Sequence, residues 1–282
     1  MRSWRARLLA LILASCSPDN SPAQETDLPR YLSDRGTGIP TSMFGSYVRE
    51  AEFLVYPFFE YYVDNNLEYK PSELGYGPDV DYRGKYRASE GLIFFGYGIT
   101  PGLAFEFEAA VISATLETSP QDTSAAPQEI KESGLGDVEA QVRWRFSEET
   151  EDGPEIFGYF ETVFPLQKDK QLIGTSDWEF KLGAGFIKGF EWGTMTFRAA
   201  AEYARAEAKI ESGEYALEYL KRLSPEWRIV AALEGNQLDE VTLITEVQWR
   251  FLPMATLKVN NGWGLTTNAT DLAPEVGVMF SL

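Results

Sequence analysis

Charged residues recur at every second position inside otherwise apolar segments of this chain. Between residues 138 and 146, for example, Glu139, Arg143 and Arg145 alternate with valine, alanine and aromatic residues. If such segments are strands of a closed barrel, the charged face lines the lumen, where it can select solutes or form ion pairs that brace the wall. For each residue, both interpretations, solute selection and bracing of the wall, stay open. The candidate pore-lining residues are Glu106, Glu108, Glu139, Arg143, Arg145, Glu161, Glu179, Lys181, Glu246 and Arg250.

Most familiar catalytic chemistry is excluded by composition. The 282 residues include no His and one Cys, which removes Ser-His and Cys-His dyads, His-ligated zinc and disulfides. Asp79 with Asp81, or Asp169 with Asp177, could form carboxylate pairs for acid–base work. Acidic residues are so abundant here that chance accounts for these pairs. We therefore predict no enzyme, with no catalytic residue, cofactor or metal site.

The N-terminus carries an export signal. Three arginines precede a short apolar run at 8–14, too short to span a bilayer. The run ends Leu13-Ala14-Ser15-Cys16, which resembles the bacterial lipoprotein box and predicts lipidation of Cys16. The alternative is ordinary cleavage near Ala23. We divide the chain into a signal peptide at 1–15 (possibly to 23), a flexible periplasmic leader at 16–50 and a membrane domain at 51–282.

The membrane domain has the two-residue period of β-strands. Connections alternate between short turns and long loops, as in outer-membrane barrels. We predict an all-β fold, a closed antiparallel transmembrane β-barrel of about twelve strands, with ten or fourteen as alternatives. The predicted strands are 52–63, 84–99, 103–116, 136–147, 155–164, 177–188, 193–207, 213–223, 227–235, 239–251, 255–263 and 273–282.

Two further features agree with this fold. Aromatic residues such as Trp144, Trp192 and Trp249 fall at one end of the predicted strands, as an interfacial girdle would. The final segment, Glu275 to Leu282, resembles the C-terminal signal through which barrel-assembly machinery recognises its substrates. We expect outer-membrane lipid and that machinery as partners, and the outer membrane of a Gram-negative bacterium as the location.

Two motifs resemble one barrel family. They are Ser133-Gly134-Leu135-Gly136-Asp137 ahead of a strand, and Phe164-Pro165 followed by Ile173-Gly174-Thr175-Ser176-Asp177-Trp178. This pattern is similar to the outer-membrane proteins associated with the meta-pathway of phenol degradation, over roughly residues 50–282. In that family Pro-Thr-Gly stands where this chain has Pro165-Leu166-Gln167. The resemblance implies passage of small molecules and defines no substrate. Gly134 and Gly136 are interpreted as positions where the backbone, returning from a long loop to a strand, needs the unusual dihedral angles that glycine permits.

Three functions remain for such a barrel. A passive channel or transporter for small molecules through a narrow charged lumen is the first, and its mixed lining charges predict weak charge selectivity. A barrel that serves as a structural anchor or assembly partner is the second, and a His-independent membrane enzyme is the third. Nucleic acid is not expected as a partner, since the net charge is −18.

Overall fold

The computed structural model describes residues 28–175, 177–205 and 208–282. The predicted signal peptide, Cys16 and the first part of the expected leader lie outside these ranges, so processing and lipidation stay predictions. Within them, no helix is long and apolar enough to cross a bilayer. One 3-10 turn, Arg30–Leu32, is followed by strands.

Twelve antiparallel strands close into a barrel, which confirms the predicted fold. Two short strands, β1 (Ile39–Pro40) and β2 (Tyr47–Val48), pair only with each other and precede it. Closure is made by β14 pairing with β3, so the barrel has no open edge in lipid. The barrel strands are β3 (Phe53–Tyr69), β4 (Tyr82–Thr100), β5 (Leu103–Glu117), β6 (Glu129–Ser147), β7 (Glu155–Phe164), β8 (Glu179–Phe190), β9 (Gly193–Ala204), β10 (Lys209–Arg222), β11 (Trp227–Gly235), β12 (Val241–Leu252), β13 (Ala255–Gly264) and β14 (Leu272–Ser281).

Most strand boundaries lie within two residues of the predicted ones; β9 ends three residues and β10 begins four residues before its predicted bound, and the largest differences lie on one side of the barrel. There β3 continues six residues past the predicted end at 63, and β6 begins seven residues before the predicted start at 136. Both extensions contain Asn, Lys, Ser or Gly, which are typical of loops. They pair with their neighbours nonetheless, so the wall of β3 to β6 rises above that of β7 to β9.

The alternating pattern sets the two faces of each strand. On β12, Val247 is 45% exposed and Trp249 41% exposed, whereas Glu246 and Gln248, which alternate with them, are 3% and 4% exposed. Apolar side chains therefore cover the outside and polar ones face inward, the reverse of a soluble sandwich. An apolar outer belt of this kind is covered by lipid in a membrane.

Replacing one outward residue tests this orientation. Val247→Arg should destabilise the folded barrel by about 2–4 kcal/mol, because a charge near the middle of the bilayer must lose its hydration. Thr242→Arg, on the inward face of the same strand beside open lumen, is the matched control and should cost far less. The measurement is the urea dependence of folding into lipid vesicles. Equal costs would mean that the faces are assigned backwards.

The two ends of the barrel differ. Tight turns such as 252–255 join strands at the end that also holds both termini of the barrel, where the backbones of Phe53 and Leu282 exchange hydrogen bonds. Rim aromatics stack there, for example Trp227 on Trp249 with ring centroids 5.7 Å apart. We call this the short-turn end and the other the long-loop end; in outer-membrane barrels these face the periplasm and the outside, respectively.

Residues 28–50 do not form the flexible leader that the sequence predicts. Ile39 and Val48, each 1% exposed, lie in one apolar cluster with Leu54, Tyr56 and Phe94 on the inner face of the wall. The segment enters the barrel from the short-turn end as a β-hairpin, defined here as the N-terminal hairpin (residues 39–48). Its polar composition hid this role, because only a few apolar residues at its base are needed to dock it.

Candidate functional site

The tip of the N-terminal hairpin reaches across the lumen. Ser42 donates its backbone N–H and its hydroxyl to Glu106 on β5, at 2.9 and 2.6 Å. Gly45 donates its N–H to Glu218 on β10, at 3.2 Å. Since β5 and β10 lie on different sides of the barrel, the tip must span the lumen between them.

Further contacts hold the tip from the remaining sides. The carbonyl oxygen of Phe44 accepts a hydrogen bond from Lys258 on β13, at 2.9 Å. The ring of Phe44 lies under the guanidinium of Arg198 on β9, 4.8 Å from its centroid, in a cation–π arrangement. The wall thus supplies both acceptors and donors to a tip that carries no charge of its own.

The chain ahead of the hairpin is anchored by a buried ion-pair cluster. Arg35 contacts Glu149 at 3.2 Å and Glu155 at 2.8 Å, and all three side chains are at most 2% exposed. Arg145 contacts Glu155 at 3.3 Å and also donates to the carbonyl of Gly38. Buried charges of this kind are stable only while paired, so the cluster fixes where the segment enters the barrel.

A cavity of about 700 Å³ fills the lumen beyond the hairpin tip. The hairpin residues 42–44 border it on one side, and the loop residues 171–175 border it on the other. We call it the lumen chamber. Its size is in the range that accommodates drug-sized molecules. A side pocket of about 220 Å³ adjoins it, lined in part by Glu106 and Arg143.

The lumen chamber is strongly acidic. Its basic lining residues are Lys181, Arg198 and Lys258. Its acidic lining residues are Glu60, Glu90, Glu108, Asp137, Glu139, Glu179, Glu234, Glu246 and Glu275. Acidic lining residues thus outnumber basic ones by nine to three, so the expectation that lining charges largely cancel is wrong.

Three of the carboxylates in this lining lie on adjacent strands. Glu60 on β3 lies directly opposite Glu90 on β4 and Glu275 on β14. Like charges placed directly across a sheet are destabilising. Tyr56 donates its hydroxyl to Glu275. No ion pair to these three carboxylates is found in the part of the chain that the structure describes. We call Glu60, Glu90 and Glu275 the carboxylate row.

Elsewhere in the lumen, oppositely charged residues pair between neighbouring strands, as the sequence predicts. Glu106 contacts Arg143 at 3.0 Å. Glu161 contacts Lys181 at 3.2 Å, and Glu246 contacts Lys258 at 3.4 Å. These pairs brace the wall near the hairpin and leave the excess of negative charge beyond it.

The structure separates the predicted pore-lining residues into two groups. Those that border the lumen chamber or its side pocket are Glu106, Glu108, Glu139, Arg143, Glu161, Glu179, Lys181 and Glu246. Arg145 faces inward but lies beneath the hairpin, bound to Glu155. Arg250 donates to the carbonyl of Pro225 at 2.7 Å, in a turn at the short-turn end. Period alone gives the face of a residue and not its height in the barrel.

Glu60, Glu90 and Glu275 were missed. On β3 the inward residues include Tyr56, Phe58 and Tyr62, so the polar face is interrupted by aromatics and the alternation is not visible. Counting by two from Tyr56 places Glu60 on the inner face, whereas counting back from Tyr69 does not, because the register of β3 shifts between Asp64 and Leu67. In the sequence, Glu275 is assigned only to the C-terminal signal and not to the lumen.

Neither proposed carboxylate pair forms an acid–base site. Asp79 and Asp81 both face Lys70 on the loop after β3, at 3.4 and 3.9 Å. The hydrogen bond that Lys70 donates to Asp79 and the nearby negative charges raise the pKa of Lys70, and the side chains are exposed, so this is a surface ion-pair cluster. Asp177 pairs with Lys168 and Arg205, each at 3.8 Å, and not with Asp169.

No protein-family model and no curated protein sequence matches the chain. Solved structures do resemble it. An outer-membrane channel from Pseudomonas putida F1 has a TM-score of 0.61 at 12% identity, and the match covers 86% of this chain and all of that one. The translocator domain of the autotransporter NalP from Neisseria meningitidis has a TM-score of 0.49 at 12% identity, covering 82% and 88%. The chain thus has the fold of a bacterial outer-membrane β-barrel.

Proposed function

We propose that this protein is a passive outer-membrane channel that admits small molecules and favours cations. The observation that carries the proposal is the acidic lumen chamber of about 700 Å³ inside a closed barrel. A chamber of this volume serves no purpose in a barrel used only as an anchor, since a filled lumen would be more stable. The resemblance to the barrels associated with phenol degradation agrees with small-molecule passage.

The hairpin gives the channel a narrow periplasmic end. Ions that leave the chamber toward the short-turn end must pass the tip residues 42–45 and the wall pairs that hold them. We therefore expect a low conductance and a strong effect of any change at the tip.

Charge selectivity follows from the carboxylate row. A salt gradient across a bilayer containing the wild-type barrel should give a reversal potential of the sign expected for cations. The triple variant Glu60→Gln, Glu90→Gln, Glu275→Gln keeps the side-chain shapes and the capacity to accept hydrogen bonds, but replaces all three carboxylates with uncharged amides. Its preference for cations should fall by about half, because the excess of acidic over basic residues in the chamber lining drops from six to three.

A matched control changes the same number of charges outside the lumen. Glu73, Asp79 and Asp81 lie on the exposed loop after β3, and their neutralisation should leave the reversal potential nearly unchanged at physiological salt, where screening limits the reach of exposed charges. If the lumen triple has no larger effect than this control, the carboxylate row does not line the conducting path.

A further inference from the structure

The loop between β7 and β8 folds into the barrel instead of projecting outward. Ile173 is 4% exposed and packs with Ala88 and Ala114 on the inner wall. Leu172 joins the same cluster, together with Tyr62 and other partly buried wall residues. We call residues 165–175 the inward loop; residues 171–175 form the outer border of the lumen chamber.

The difference in wall height makes room for this loop. β6 pairs with β7 only as far as Val138 and Phe164, while its earlier residues pair with β5 alone. The side of β6 that faces β7 is therefore a free edge from residue 129 to 137. Free edges in native proteins are commonly covered by a loop or a helix.

A single carboxylate fastens both ends of the inward loop to that edge. Asp137 accepts hydrogen bonds from the backbone N–H of Leu166 at 2.8 Å and of Gln167 at 3.3 Å on one oxygen. Its other oxygen accepts the hydroxyl of Thr175 at 2.7 Å and the N–H of the same residue. Hydrogen bonds to an ionised acceptor are roughly twice as strong as neutral ones.

The residues just before Asp137 hold the middle of the loop. Glu132 accepts the N–H of Leu172 at 2.8 Å. Lys170 donates to the carbonyl of Ser133. Gly134 has φ +148°, a backbone conformation that favours glycine, and it lies beside the Lys170 amine. The Ser133 to Asp137 motif is thus a docking site for the loop as well as the re-entry of a strand.

We infer that Asp137 is a positioning residue that latches the inward loop in the lumen, and that the loop thereby sets the size limit for solutes at the outer end of the chamber. The size-limit half of this inference rests on the proposed channel function. The latch itself does not, because it concerns only where the loop lies.

The latch is tested by the accessibility of a reporter cysteine. Ile173→Cys places a thiol where the wild-type side chain is 4% exposed, and its reaction with a polar maleimide reports loop opening. Adding Asp137→Ala should speed labelling about tenfold or more, since several charge-assisted hydrogen bonds are lost. Asp137→Asn, which retains one acceptor oxygen, should give an intermediate rate.

Asp169→Asn is the matched control within the same loop. It removes one negative charge, and Asp169 makes none of the hydrogen bonds that join the loop to β6, so the labelling rate should stay that of the reporter alone. Heat-modifiable migration on gels confirms that each variant is a folded barrel. Equal labelling with and without Asp137 would overturn the latch.

Liposome swelling with neutral sugars of increasing size tests the second half. In the Met43→Ala, Phe44→Ala background, whose trimmed hairpin tip widens the other constriction of the path, Asp137→Ala should admit larger sugars than that background alone does, while Asp169→Asn should not. Faster labelling without any change in the size limit would refute the loop as the outer constriction. If wild-type liposomes do not swell for any solute, the channel proposal fails, and the labelling result still decides the latch.

Discussion

Deleting residues 30–50 should raise the single-channel conductance severalfold. This segment contains the hairpin whose tip bridges Glu106 on β5 and Glu218 on β10, so it occupies much of the cross-section at the short-turn end. A twelve-stranded barrel is intermediate between small filled barrels and wide porins, and its conductance depends on what fills the lumen. The measurement is the step size in planar bilayers.

A second variant with a smaller change keeps the prediction testable if the deletion variant does not fold. The hairpin base covers Leu54, Tyr56 and Phe94, and its removal exposes these side chains to lumen water. Met43→Ala with Phe44→Ala trims the tip, which borders the chamber, and keeps Ile39 and Val48 at the base. We expect a smaller rise from this variant than from the deletion.

Arg30→Ala is the matched control in the same segment. Arg30 pairs with Glu191 outside the lumen, with both side chains more than 70% exposed, and its loss should leave the conductance unchanged. Identical step sizes for the wild type, the trimmed tip and the deletion would show that the hairpin does not obstruct the path.

Arg143→Met should destabilise the folded barrel by about 3–5 kcal/mol, the largest effect we expect from a single substitution. Arg143 is 1% exposed and contacts Glu106, which is 2% exposed, at 3.0 Å. Its guanidinium also lies over the ring of Tyr159, 5.0 Å from the centroid. Methionine preserves much of the volume but leaves Glu106 as a buried charge without its cation. The free energy of unfolding in urea measures the loss.

Two companions separate burial from charge. Lys131→Ala breaks an exposed pair with Glu129, 2.8 Å long, and should cost no more than about 1 kcal/mol. Adding Glu106→Gln to Arg143→Met removes the unpaired charge and should recover a large part of the stability. A cost for Arg143→Met as small as that for Lys131→Ala would mean that water reaches this pair.

The sequence predicts the outer face of the barrel well, and physical reasons explain why. Lipid imposes an apolar side chain at every outward position, so Val247 and Trp249 on β12 reveal the period directly. Tight turns and the need to pair every strand edge within the lipid layer then determine strand count and closure. The predicted and observed bounds of β7 and β11 are the same.

The lumen is less predictable because its inward residues have different roles: some pack against the hairpin, some bind a loop and some line the chamber. Tyr56 and Phe58 face inward and are apolar because the hairpin covers them, so they contradict the rule that apolar residues face lipid. The inward loop depends on one carboxylate, Asp137, whose partners lie about thirty residues away along the chain. Contacts of this kind leave no periodic trace in a single sequence.

The acidic excess of the chamber was missed for a related reason. The expectation of weak selectivity counted all inward charges together, whereas the structure segregates them. Pairs such as Glu246 with Lys258 lie close to the hairpin, and Lys258 also contacts its tip. The row formed by Glu60, Glu90 and Glu275 lies on neighbouring strands without a cation between them. The position of a residue along the barrel axis decides whether its charge is paired near the hairpin or lies in the chamber. The alternating sequence pattern does not give that position.

The central claim, that a small-molecule channel runs through this barrel, is tested most directly by planar-bilayer recording of the folded wild-type protein under a salt gradient. Heat-modifiable migration on gels first establishes that the barrel is folded. We predict discrete conductance steps with a reversal potential that favours cations, and larger steps after deletion of residues 30–50. The absence of conductance from both folded proteins would contradict the claim and leave a barrel that acts as an anchor or assembly partner.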